Sequence, residues 1–217
     1  MNIYGAPLKL ALFFFLALST SCYAQTGIPE VSEVREIRTN VRSPEIRKVI
    51  QSAREQLRVT TGYTQKYFTI EYPNGDVPKE TGACTDVVIR AFRNAGIDLQ
   101  KEVHEDMKKH FSLYPQKWGL SGTDTNIDHR RVPNLRRYFE RKGKALSVTS
   151  DASDFMPGDV VTWDLDGKGM THIGIVSDRK DPATGRHLII HNIGGGVQEE
   201  DRLFDWEITG RYRFFED

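Results

Sequence analysis

Apolar residues recur at helical spacing through the first two thirds of the chain and at strand spacing in the last third. Ser43-Pro44-Glu45 combines a capping hydroxyl, proline at a first helical position and an acid in the first turn. Ile46, Val49, Ile50, Ala53 and Leu57 follow on one face, and Gly62 marks the stop. Residues 66–72 alternate and are rich in strand formers, so they predict a strand that ends at the turn Pro73-Asn74-Gly75-Asp76. A helix is expected from about Cys84 to Ala95, stopped by Gly96, with Val87, Val88, Ala91 and Ala95 on the face of Cys84. Further helices are expected over 99–111 and 133–142. Pro157-Gly158-Asp159 then leads into four strands, at 160–163, 172–176, 188–191 and 210–214, joined as an antiparallel meander. Helices first and strands second predict an α+β fold, with N-terminal helices packed on an antiparallel β-sheet.

The first 24 residues have a different pattern. Lys9 precedes a wholly apolar run from Leu10 to Leu18, and small residues lead to Ala24. This is the order of an export signal, and the run is too short for a membrane span of about 20 residues. We therefore expect a signal peptide over 1–24, a flexible polar segment over 25–42 and a single domain over 43–217. The expected location is periplasmic, with secretion or lipid attachment at Cys22 as alternatives. Membrane attachment is expected only through that lipid.

Charge narrows the function. The chain has 30 basic and 30 acidic side chains, whereas a nucleic-acid binder normally carries a basic excess or stripe. Of the two cysteines, Cys22 lies in the leader, which leaves Cys84 without a disulfide partner in the mature chain.

A lone thiol is either buried and inert or used. A nucleophilic cysteine needs a base, and the base needs an orienting group. Cys84, after Gly82-Ala83, opens a helix whose N-terminus favours the thiolate and lowers its pKa. His172 opens one strand and is the expected base. His191 ends the next apolar strand and is the expected orienting group. The Cys84 backbone N–H would be one oxyanion donor, with the Tyr72 hydroxyl as the second. Asp86 stabilises the first turn of the Cys84 helix. Within Asp124–Arg131, Arg130 and Arg131 are candidates for substrate contact, although an ion-paired loop explains the same residues. No ligand spacing supports a metal there, and no cofactor is expected.

The order Cys84, Pro157-Gly158-Asp159, His172-Ile173-Gly174-Ile175-Val176, Ile189-Ile190-His191 resembles the NlpC-type and CHAP branches of papain-like cysteine hydrolases. The resemblance implies a papain-like α+β fold and hydrolysis of peptide or amide bonds, often in bacterial peptidoglycan. It places Cys84 as nucleophile, His172 as base, His191 as the polar third residue and Tyr72 on the oxyanion. Tyr72–Pro78, Cys84–Ala91, Asp98–Gln100, Asp124–Leu135 and His191–Gly194 are similar to the bacterial domain-of-unknown-function family 1287. The expected function is an exported cysteine peptidase or amidase acting on peptidoglycan or a peptide. A non-catalytic wall-peptide-binding module and a transferase on the same thioester chemistry are the alternatives.

Overall fold

The computed structural model describes residues 36–217. The expected signal peptide, Cys22 and most of the expected flexible segment lie outside them.

β1 (Ile37–Arg38) precedes α1 (Pro44–Glu55), whose N-cap Ser43 accepts a hydrogen bond from the Ile46 N–H. β2 (Gly62–Tyr63) and β3 (Thr81–Gly82) form a small parallel pair, with Tyr63 opposite Gly82. α2 (Cys84–Asn94), α3 (Leu99–His110) and α4 (Val132–Arg141) complete the helices. The rest is sheet: β4 (Ala145–Leu146), β5 (Val160–Asp164), β6 (Thr171–Lys180), β7 (His187–Asn192), β8 (Val197–Glu200) and β9 (Glu207–Tyr212). The fold is α+β, with an antiparallel sheet in the order β4-β9-β5-β6-β7-β8 and β1 added at the far end of β6.

Three features differ from the expected pattern. The last strand, β9, pairs with β5 rather than extending the meander. Residues 66–72 form no strand; their backbone bonds to side chains, Ile70 N–H to Asn126 and Lys66 C=O to Arg130. Alternation favours a strand only where a partner edge is available. The segment expected to be flexible through residue 42 is paired at its described end, where Ile37 and Arg38 sit opposite Lys180 and Arg179 and Val41 is buried.

One core lies between the helices and the sheet. Val49, Ala53, Val87, Val88 and Phe92 meet Ile173, Ile175 and Ile190 there. A smaller cluster, Phe155, Val161, Trp163, Val176, Ile189 and Leu203, is separate from it. Because strand side chains alternate between faces, neighbouring residues such as Ile175 and Val176 serve the two clusters in turn. Among the described residues, no helix is long and apolar enough to cross a membrane.

Candidate active site

Cys84 is the first residue of α2, and Ala83 is its N-cap. The Asp86 carboxylate accepts the Ala83 N–H at 2.6 Å and closes the first turn from inside. The same carboxylate is held by Arg130, Nε to Oδ1 at 2.8 Å and Nη2 to Oδ2 at 2.9 Å. Arg130 also donates to the Lys66 carbonyl, and Thr85 donates to the Arg130 carbonyl. The turn that carries the thiol is thus anchored through a buried ion pair. From the other side, Asn192 at the end of β7 donates to the carbonyls of Gly62 and Gly82. That bond joins the sheet to the β2–β3 pair just before Cys84.

The Cys84 sulfur lies against the backbone N–H of Ile173, the neighbour of His172. The β6–β7 ladder pairs Ile175 with Ile190 and Val176 with Ile189, so at Ile173 this N–H is open to the thiol. His172 Nε2 and His191 Nδ1 are 2.7 Å apart. Gly174 makes room for this approach: a Cβ there would meet Ile189 Cγ2 at 2.8 Å and His191 Cβ at 3.1 Å. Trp163 and Trp206 flank His172, with ring centroids 5.7 and 5.9 Å away, and Trp206 also covers His191 at 6.2 Å.

Burial decides the protonation of the group. Cys84 is 5% exposed, His172 2% and His191 0%. Desolvation pushes the thiol up to about 12, against the smaller pull of the Ile173 N–H. Desolvation, with His191 beside it, pulls His172 down to about 3, and burial also lowers His191. The resting site therefore holds a neutral thiol and neutral imidazoles. The expectation of a lowered thiol pKa is corrected here, because closure of the site outweighs the helix N-terminus. Two clefts of about 510 and 420 Å³ lie elsewhere, one lined by Val41, Leu146 and Phe215 and the other by Gln56, Lys79 and Arg93.

A family model described as "Domain of unknown function (DUF1287)" matches residues 50–214. The chain belongs to this family. It is 52% identical over 169 residues to the Escherichia coli (strain K12) uncharacterized protein YijF, covering 77% of this chain and 80% of YijF. Two solved structures are similar at low identity. A Staphylococcus aureus protein described as similar to lipoprotein, NLP/P60 family, is 12% identical with a TM-score of 0.41. That match takes in 83% of this chain and 44% of the Staphylococcus chain, so the present chain spans less than half of it. An N-acetylmuramoyl-L-alanine amidase from Bacteroides uniformis is 13% identical with a TM-score of 0.47, over 78% of this chain and 98% of that one.

In this DUF1287 chain, His172 and His191 meet at 2.7 Å and Cys84 lies beside Ile173, the neighbour of His172, while the other candidates separate. Tyr72 is 37% exposed, its hydroxyl donates to Glu105 at 3.0 Å, and its ring packs on His104. The tyrosine near the thiol is Tyr63. The partly buried Tyr63 phenol has its pKa raised chiefly by desolvation, and it accepts from Gln65 at 2.6 Å. Only tertiary pairing of β2 with β3 brings it there. Arg130 is consumed by Asp86 and Lys66. Arg131 lies over the Trp118 ring at 4.0 Å and near Asp128 at 3.4 Å. Asp124 accepts from Tyr67 and from the Asn126 N–H, so this segment is an ion-paired, hydrogen-bonded loop. Among the described residues, no three His, Cys, Asp or Glu side chains cluster as metal ligands.

Proposed function

We propose that this protein is a thiol hydrolase that cleaves an amide bond, with bacterial cell-wall peptidoglycan as its substrate class. The observation that carries the reading is the placement of the Cys84 sulfur on the Ile173 N–H, beside a His172 imidazole bonded to His191 at 2.7 Å. The substrate class is supported by the resemblance of the Cys84, Pro157-Gly158-Asp159, His172-Ile173-Gly174 order to NlpC-type hydrolases. The export-type pattern of residues 1–24 fits a periplasmic setting.

In this mechanism the Cys84 sulfur adds to the substrate carbonyl carbon while His172 takes the thiol proton. The resting pair is neutral, so proton transfer accompanies attack. The tetrahedral oxyanion is met by the Cys84 backbone N–H and by the Tyr63 hydroxyl, in the role first expected of Tyr72. His172 returns the proton to the leaving nitrogen as the carbon–nitrogen bond breaks, leaving a thioester on Cys84. His172 then deprotonates a water, which releases the carboxylate and restores the thiol. His191 holds the His172 ring throughout. Purified protein incubated with sacculi is expected to release soluble fragments with new amino termini, and Cys84→Ala is expected to release none. Equal release by both would overturn the mechanism.

The closed, neutral site supports a second reading, a module that binds wall peptides without cleaving them. It predicts sacculus binding that survives Cys84→Ala, with no fragments released by either protein.

A further inference from the structure

His191 has a second partner. Its Nε2 lies 3.1 Å from Oε1 of Glu200, and the same oxygen is 3.3 Å from Arg202 Nε. β8 pairs with β7 so that Gln198 faces His191 and Glu200 faces Ile189. Glu200 is therefore the diagonal neighbour of His191, within reach of a long side chain. Arg202 also pairs with Asp205 at 2.7 Å. The result is a continuous chain, Arg202 to Glu200 to His191 to His172.

We infer that Glu200 is the positioning residue that fixes the proton on both histidines, leaving His172 with its bare nitrogen at Nδ1. A carboxylate only accepts, so His191 Nε2 must carry the hydrogen that fills the 3.1 Å contact. The opposite tautomer would aim a lone pair at a carboxylate oxygen. A neutral imidazole with hydrogen on Nε2 has an acceptor at Nδ1. The 2.7 Å contact with His172 is then a hydrogen bond only if His172 Nε2 donates. His172 in turn has hydrogen on Nε2 and an open lone pair on Nδ1, which is the form a general base needs. Arg202 holds the shared oxygen in place, so the two-histidine relay is set from the surface end of β8. The catalytic consequence rests on the hydrolase reading; the proton assignment does not.

The test is the ¹⁵N chemical shifts of the imidazole nitrogens in uniformly labelled protein at neutral pH. His191 and His172 are both expected to show a protonated Nε2 and an unprotonated Nδ1. A protonated Nδ1 on His191 would overturn the inference, whatever the protein hydrolyses. Two variants add a readout that simple packing would not move. Glu200→Gln keeps an acceptor oxygen, which Arg202 favours turning toward His191, so it is expected to keep the wild-type pattern. Glu200→Leu removes the acceptor and is expected to mix the tautomers of His191. On the wall substrate, Glu200→Leu is expected to lower kcat by about 10- to 100-fold with KM unchanged, and Glu200→Gln to restore it. An unchanged tautomer pattern in Glu200→Leu would also overturn the inference. If the wild-type pattern is as stated but no fragment is released, the hydrolase reading fails and the proton assignment stands.

Discussion

Arg130 grips both carboxylate oxygens of Asp86 two residues after Cys84, and neither side chain is more than 3% exposed. A buried pair contributes little when compared with an apolar replacement, yet losing one partner strands a charge. Arg130→Met is therefore expected to lower unfolding stability by about 3–5 kcal/mol. Asp86→Leu combined with Arg130→Met is expected to recover only part of that loss, because the Ala83 N–H then loses its acceptor. Urea denaturation of the single and double variants checks this; equal midpoints for Arg130→Met and wild type would contradict it.

Stability is expected to fall as pH drops below about 6.5. Desolvation pulls His172 down to about 3 and His129 to about 4 in the folded chain. Both return to an ordinary value near 6.5 on unfolding. Between those limits the unfolded chain binds more protons, so acid favours it, by at most about 1.4 kcal/mol per group per pH unit. Urea midpoints at pH 8, 7, 6 and 5 are expected to be level at first and then decline. A midpoint unchanged down to pH 5 would contradict the buried neutral histidines.

The native thiol is expected to be slow to alkylate. With Cys84 5% exposed and pushed up to about 12, little thiolate is present at pH 7.5. Iodoacetamide should modify native protein at least about a hundredfold more slowly than urea-unfolded protein. Comparable rates would mean that the site is open in solution.

Tyr63 and Tyr72 are expected to separate cleanly. Loss of one oxyanion donor costs about a hundredfold in kcat, which is the expected effect of Tyr63→Phe on fragment release. Tyr72→Phe breaks only the contact with Glu105 and is expected to leave the rate unchanged. The reverse outcome would return the oxyanion role to Tyr72.

Much of this architecture is legible in the sequence because its signals are local. The Ser43 cap, the helix from Cys84 and the strands around Val160, His172 and Ile189 all follow from spacing and capping. The order of Cys84, His172 and His191 is equally legible; the structure joins His172 to His191 and sets Cys84 beside Ile173. What is not legible depends on contacts distant in sequence. Residues 66–72 alternate like a strand but meet side chains instead of a partner edge. Tyr63 is set opposite Gly82, two residues before Cys84, by the pairing of β2 with β3, which no local pattern announces. The protonation of Cys84 has the opposite sign to the one a helix N-terminus suggests, because desolvation is set by the cover of the whole site. Glu200 is an ordinary surface-strand acid until the β7–β8 register places it on His191.

In the proposed hydrolysis Cys84 forms a thioester with a wall-derived acyl group. The direct measurement is intact and peptide mass spectrometry of protein quenched in acid during turnover on sacculi or muropeptides. An acyl adduct is expected on the Cys84 peptide, removed by hydroxylamine and absent in Cys84→Ala. Fragment release with no adduct on Cys84, continuing undiminished in Cys84→Ala, would contradict it.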